Sequence, residues 1–130
     1  MAQLQQLVLK DEKAESLTFV PRDIRNGVGT VVNTTGSPIG ESKFSLSLRA
    51  TQTGRYKAAI KFQMPVVVEA TVNGVPKQEV SHTMYANLEF DYARLSTTEQ
   101  REKFVQMLSD ALKSDKALVK GSIVDLEGVY

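Results

Sequence analysis

The feature that most constrains the fold is a regular alternation of apolar and polar residues in three long runs. The runs are KFSLSLRAT (43–51), RYKAAIKFQMPVVV (55–68) and VSHTMYANLEFDY (80–92). Successive side chains of a strand point to opposite faces, so alternation at period two predicts three strands that each bury one face. The predicted core faces carry these apolar side chains: Phe44, Leu46 and Leu48; Ala58, Ile60 and Phe62; Met84, Ala86, Leu88 and Phe90.

The connections between these runs predict an antiparallel meander. QTG with Gly54 makes a tight link between the first two runs, and a longer segment containing Asn73-Gly74, a strong hairpin signal, links the second to the third. We expect residues 70–80 to be the mobile element, with Pro76 as a candidate for a cis peptide bond. Upstream, the sequence predicts a hairpin of QLVLK and SLTFVP, a turn at PRDIRNGVG, a strand at TVV and a loop at TTGSPIGES.

The last third of the chain changes to helical periodicity. STTEQREKFVQMLSDALKS predicts a helix over 97–113, with Ser96 and Glu99 as its capping box and apolar residues at helical spacing. KALVKGSIVDL predicts a second short helix interrupted at Gly121. Strands followed by helices indicate an α+β fold, in which an antiparallel meander with an N-terminal hairpin is covered on one face by two C-terminal helices.

The polar positions of the three runs form one candidate binding surface. A turn near Gln52–Thr53 would set Arg49 opposite Lys57 and Ser45 opposite Lys61. Like charges that face each other across a ladder are unfavourable, so this arrangement favours a polyanion as the partner. Small side chains would leave space for a flat base, and Tyr85 would offer a stacking platform. The candidate residues are Lys43, Ser45, Ser47, Arg49, Lys57, Ala59, Lys61, Gln63, Tyr85 and Asn87.

The charge distribution supports a local anion-binding patch. The net charge is only +1, but residues 41–63 contain five cationic side chains against the single carboxylate of Glu41. The alternative is a solvated charged face, with Tyr85 packed rather than stacked and Asn87 merely hydrated. Glu89 and Asp91 also argue against a purely electrostatic surface, and they place the basic zone toward the first two runs.

The composition gives little support for an enzyme. The chain has no cysteine and a single histidine, His82, and its carboxylates show no paired spacing suited to acid–base catalysis. No glycine-rich phosphate loop follows a strand. We therefore predict no catalytic site, no cofactor and no metal site. The N-terminus lacks signal-peptide features and no apolar run approaches a membrane span, which favours a soluble intracellular protein without a membrane partner.

The sequence resembles the coat proteins of the small icosahedral single-stranded RNA bacteriophages, the leviviruses. The resemblance is carried by SLR…YKAAIKFQMP, by VNG followed by YANLEF, by PRDIRNGVG and by the ending in GVY, and it covers essentially the whole chain as a single domain, 1–130. It implies an interlocked dimer in which two sheets join edge to edge and each subunit's helices pack on the partner's sheet. It also implies an icosahedral virion shell around single-stranded viral RNA, assembled in the host cytoplasm.

The resemblance further implies that one dimer binds an RNA operator hairpin at the start of the replicase gene and represses translation. Ser45, Ser47, Ala59 and Lys61 match the positions that form pockets for unpaired adenines. Tyr85 matches a residue that stacks on a loop base, and Asn87 its hydrogen-bonding neighbour. The other matches are Arg49 and Lys57 at phosphate-facing positions, with Lys43 beside them, and Gln63 at a position that contacts RNA in some members. Ala59 replaces a residue that is often polar, so one hydrogen bond to a base is expected to be missing.

Two other interpretations remain open at this stage. One is a cellular sheet-based RNA-binding module without shell assembly, although such modules alternate strands with helices and carry several aromatic residues on the binding face. The other is an assembly protein with a purely structural role.

Overall fold

The alternating runs form neighbouring strands of one antiparallel sheet. The computed structural model describes residues 3–33, 40–113 and 115–129. Internal contacts divide the chain into two units, Met1–Asp91 and Tyr92–Tyr130. The sheet follows chain order, and its strands are β1 (Leu7–Lys10), β2 (Ser16–Arg25), β3 (Val28–Asn33), β4 (Ser42–Ala50), β5 (Tyr56–Val72) and β6 (Val75–Tyr92). The predicted meander and N-terminal hairpin are confirmed. Residues 34–39, most of the predicted TTGSPIGES loop, lie outside the described residues.

The connection between β5 and β6 is shorter than the sequence predicted. The strands continue to Val72 and from Val75, so the link is only Asn73-Gly74. Both residues have positive φ angles, 52° and 78°, as a two-residue hairpin turn of the type favoured by strand twist requires. The prediction of a longer connecting segment was therefore wrong. The described residues contain no cis peptide bond, so the cis Pro76 hypothesis was wrong as well.

The predicted turn at PRDIRNGVG is also mostly strand. β2 extends to Arg25, and the turn is confined to Asn26-Gly27, with φ angles of 52° and 77°. The register with β3 shifts between Pro21 and Asp23, which forms a bulge. Proline cannot donate a ladder hydrogen bond, and a bulge is one of the few places where a strand tolerates it. This bulge lets the strand continue past a residue that would otherwise end it.

The apolar face of the sheet is only partly buried within one chain. The buried apolar side chains among the described residues are Phe19, Val31 and Val32, with 2%, 4% and 8% of their surface exposed. The Phe62 ring lies between those of Phe19 and Phe44, at centroid distances of 6.1 Å and 6.2 Å. Much of the predicted core face is exposed instead, including Leu48 at 67%. The predicted apolar face exists, and many of its side chains are exposed.

The C-terminal unit contains α1 (Thr98–Ala111) and α2 (Ala117–Ile123). No residue of either helix is buried. α2 runs through Gly121 without a break, so the predicted interruption was wrong. Lys116, which precedes α2, contacts Asp110 of α1 at 3.3 Å. The hydrogen bond to Asp110 and the charge of Asp110 raise the pKa of Lys116 above its ordinary value. The stability that this ion pair contributes is therefore present at pH values below the ordinary pKa of lysine, and it is lost as pH rises through the raised pKa. No helix within the described ranges is long and apolar enough to cross a membrane.

The capping box of α1 begins one residue later than predicted. The Thr97 hydroxyl accepts a hydrogen bond from the Gln100 backbone N–H at 3.2 Å, and the Gln100 side chain accepts one from the Thr97 N–H at 3.0 Å. Ser96 instead donates to the carbonyl of Ala93 and accepts from Arg101. The predicted Ser96–Glu99 box was therefore wrong, and Glu99 lies in the first turn of the helix.

We expect Thr97→Ala to lower the free energy of unfolding by about 1 kcal/mol, because an N–H group of the first turn loses its acceptor. The measurement is urea denaturation at one fixed protein concentration and high salt. Glu99→Gln is the matched control, and it should have little effect because salt screens the interaction of its charge with the helix dipole. Equal losses for the two variants would contradict the observed capping box.

Candidate nucleic-acid interface

The register between β4 and β5 places the predicted polar residues on one face. Residues paired across a ladder project to the same side of the sheet. As predicted, Arg49 lies opposite Lys57 and Ser45 lies opposite Lys61. Ser47 lies opposite Ala59, and Lys43 opposite Gln63. The structure thus brings eight of the ten predicted site residues together on two adjacent strands.

Ion pairs to β6 bring the remaining two predicted residues to the same face. Lys57 Nζ lies 3.5 Å from Glu89 Oε1, and Arg55 Nε lies 2.7 Å from Asp91 Oδ1. Because side chains alternate along a strand, Tyr85 and Asn87 share the face of Glu89 and Asp91. Tyr85 is 70% exposed, so its ring is available as a stacking surface rather than packed in a core.

The electrostatics of this face are uneven from strand to strand. The carboxylates of Glu89 and Asp91 partly neutralise the β5 side nearest to β6. Among the described residues, Arg49 and Lys61 have no carboxylate partner within ion-pair distance. The basic zone therefore lies over β4 and β5, as the sequence predicted. A phosphate that approaches Lys57 has to compete with Glu89.

The polar face also includes residues of β2 and β3 that the sequence analysis missed. Thr30 lies opposite Ser45, with 3.3 Å between their hydroxyl oxygens, and Val28 lies opposite Ser47. An open depression of about 350 Å³ borders this region. Its lining residues are Arg22, Asp23, Arg25, Val28, Thr30, Lys43 and Ser45. Thr30 lay in the predicted strand TVV, but predicting a turn over 21–29 concealed that Arg22, Asp23 and Arg25 belong to a neighbouring strand.

The described residues offer no obvious metal centre. No group of three or more histidine, cysteine, aspartate or glutamate side chains within the described ranges is placed to hold a metal ion. The face instead presents ammonium, guanidinium, hydroxyl, amide and phenol groups on a sheet. This is the set of groups that binds phosphates, base edges and unstacked bases.

Comparison with known proteins identifies the family. The family model described as levivirus coat protein matches residues 2–130. This chain belongs to the levivirus coat protein family. It is 55% identical to the capsid protein of Pseudomonas phage PRR1 over 131 residues, covering 99% of this chain and 100% of that protein. It is also 30% identical over 127 residues to the capsid protein of Escherichia virus Qbeta, covering 92% of each.

Solved structures of levivirus coat proteins share the fold. The capsid protein of bacteriophage GA superposes with a TM-score of 0.83 at 25% identity, covering 99% of both chains. An unassembled bacteriophage coat protein dimer, described as an RNA-binding dimer, superposes with a TM-score of 0.73 at 22% identity, covering 99% of each chain. The resemblance seen in the sequence is confirmed. The family is one of structural capsid proteins of bacteriophages.

The opposed cations of β4 and β5 lead to a prediction about stability. Arg49→Glu would place a carboxylate opposite Lys57, so we expect the free energy of unfolding of the nucleic-acid-free protein to rise by about 0.2–1 kcal/mol at low salt. Arg49→Gln is the control, because it removes the repulsion without adding an attraction, and its stability should be intermediate. If the glutamate variant is no more stable than the glutamine variant, the two side chains do not interact across the ladder.

Proposed function

We propose that this coat protein assembles as dimers into an icosahedral shell that packages single-stranded RNA, and that its polar sheet face binds an RNA operator hairpin and so represses replicase translation. The observation that carries the RNA proposal is the pairing of Arg49 with Lys57 on the same face as the exposed ring of Tyr85. Repression would take place in the host cytoplasm, before the same dimers enter the virion.

The exposed apolar surface supports the dimer. Side chains on the apolar face remain exposed in the single chain, with Leu46 at 48%, Leu48 at 67% and Met84 at 45%. The helices likewise expose Met107 at 64% and Leu118 at 72%. Exposed apolar side chains in this number indicate an interaction surface. Packing the helices of one subunit on the apolar sheet face of its partner would bury both surfaces at once.

The free edge of the sheet supports the way in which the two subunits join. β6 is the last strand in the sheet order and has 18 residues, whereas β1, at the opposite edge, has four. A long edge strand presents a row of backbone N–H and C=O groups that favours pairing with another strand. Pairing β6 with β6 of a second copy would extend one continuous sheet across the dimer. The polar faces of the two subunits would then form a single RNA-binding surface.

The proposed RNA contacts follow from the chemistry of each side chain. Arg49, Lys57 and Lys43 would bind phosphates, and Tyr85 would stack on a loop base with Asn87 as its hydrogen-bonding neighbour. Unpaired adenines would lie in pockets formed by Ser45, Ser47, Ala59 and Lys61, with Gln63 beside them. Ala59 has no side-chain donor or acceptor, so its pocket would offer one hydrogen bond fewer than a polar residue there would provide.

We expect Lys61→Ala and Tyr85→Ala to weaken RNA binding, because the first removes a cation and the second removes the stacking ring. The loss for Tyr85→Ala should be about 1–3 kcal/mol per stacked base. The probe is a synthetic RNA hairpin with adenines in its loop and one unpaired adenine in its stem, and the measurement is fluorescence anisotropy. Lys13→Ala removes an equal charge outside the proposed surface, and Tyr85→Phe keeps the ring, so both controls should bind nearly as wild type does.

Size-exclusion chromatography of the same proteins tests assembly. Wild type and all four variants should give stable dimers and megadalton particles, since none of the substitutions alters the apolar face. Unchanged hairpin affinity for both alanine variants would refute the proposed RNA site. Elution of the wild-type protein only as a small monomer would refute the shell.

A further inference from the structure

The depression between β2, β3 and β4 overlaps the edge of the proposed hairpin surface and extends beyond it. The two regions share Lys43 and Ser45, which belong to the predicted RNA-binding set and also line the depression. The depression adds Arg22 and Arg25, two cations that no part of the proposed hairpin site uses. The polar face is therefore wider than the surface that the alternating runs defined.

The bulge in β2 gives the depression one of its cations. In a regular strand, consecutive side chains project to opposite faces. Here the register shifts between Pro21 and Asp23, and both Arg22 and Asp23 line the depression. Bulges characteristically redirect a side chain in this way. Arg25 follows two residues later, opposite Val28 of β3.

The chemistry of the lining suits a phosphate group. Among the described residues, three cations and the carboxylate of Asp23 line the depression, and Glu41 pairs with one of these cations, Arg22. The lining also includes the hydroxyls of Thr30 and Ser45, whose oxygens are 3.3 Å apart. Guanidinium groups bind phosphate oxygens in a forked geometry, and hydroxyls can donate to the same oxygens. None of the described residues that line the depression is aromatic, so they offer no platform on which a base could stack. These features favour the RNA backbone over a base.

The ion pairs already made by the two arginines would not prevent phosphate binding. Arg22 Nη1 lies 2.6 Å from Glu41 Oε1, and Arg25 Nε lies 3.2 Å from Asp23 Oδ2. The Arg25 side chain is 84% exposed, and exposed ion pairs contribute little stability. Each contact engages one nitrogen of a group that carries five N–H donors. The remaining N–H groups of each arginine are therefore available to donate hydrogen bonds to a phosphate.

We propose that this depression binds a backbone phosphate of the single-stranded RNA that flanks the hairpin. The proposal rests on the RNA-binding function proposed above and extends it to an outer part of the same face. Neighbouring strands are about 4.8 Å apart, so β2 lies roughly 10 Å from β4 across the sheet. A strand of RNA leaving the region of Lys43 and Lys61 would cross this distance within a few nucleotides. Arg25, as the most exposed cation of the depression, would make the main contact.

The test uses the hairpin described above, either without a tail or with a tail of eight adenines at its 5′ or 3′ end. Affinity is measured by anisotropy over a range of salt concentrations for wild type, Arg25→Ala, Arg25→Lys, Asp23→Asn and Lys13→Ala. In wild type, one of the two tails should strengthen binding. Arg25→Ala should remove most of that gain and leave the tailless hairpin unaffected. For the tailed hairpin, the ratio of wild-type affinity to Arg25→Ala affinity should shrink about threefold between 50 and 200 mM salt, as expected for one lost contact to single-stranded RNA.

The other variants separate charge from structure. Arg25→Lys should keep most of the tail gain, and Asp23→Asn should increase it, because a carboxylate that competes for Arg25 is removed. Lys13→Ala should behave as wild type. An equal tail gain in wild type and Arg25→Ala, no tail gain in wild type, or an equal loss for tailed and tailless hairpins would overturn the proposal. Failure of the hairpin site itself would appear separately, as unchanged binding of the tailless hairpin by Lys61→Ala and Tyr85→Ala.

Discussion

The structure depends on the antiparallel register that pairs Arg49 with Lys57 across β4 and β5. A slip of one residue along either strand would turn its polar set to the apolar side and its apolar set to solvent. The register is held by the apolar pairs Phe44–Phe62 and Leu46–Ile60, which alternate with the cationic and hydroxyl pairs. The same hydrogen-bond ladder thus produces one face whose opposed cations would be stabilised by a polyanion, and another whose apolar side chains would be stabilised by burial.

Neither kind of stabilisation is available to the isolated chain, and this links assembly to RNA binding. Fully burying a large apolar side chain contributes about 1.5–3 kcal/mol, so covering residues such as Leu48 and Met84 in a dimer would supply a substantial part of the stability. Stability that comes from association depends on protein concentration. A dimer that continues the sheet through β6 would also double the cationic face. Bound RNA would then neutralise charges that repel one another in the empty protein.

The parts of the fold that were predictable are those in which local pattern and tertiary environment agree. The long alternation over β4, β5 and β6 predicted the sheet, its two faces and the pairing of Arg49 with Lys57. The errors arose where short-range signals were ambiguous. Serine and threonine are both favoured at N-caps, and Ser96 and Thr97 each have a suitable partner three positions on, so the sequence alone does not decide between Glu99 and Gln100. Proline and glycine in 21–29 and 70–80 indicated loops, although a bulge and two tight turns accommodate them within long strands.

The depression was beyond sequence reasoning for a different reason. Its cations and hydroxyls come from three strands, and Arg22, Thr30 and Lys43 are brought together by two strand pairings, of which the one between β2 and β3 is shifted by a bulge. No spacing along the chain reveals such a set. The exposure of the predicted core face was equally hidden, because periodicity indicates which face is apolar but not whether the same chain covers it. The dimer proposed above would supply that cover.

The most direct test of this account is ultraviolet crosslinking of RNA to the assembled particles, with the crosslinked residues mapped by mass spectrometry. We expect crosslinks at the polar-face side chains of β4, β5 and β6, above all at Tyr85 and Lys61. Crosslinks confined to apolar-face residues such as Leu48 and Met84, or to α1 and α2, would contradict the division of the sheet into an RNA-binding face and an assembly face.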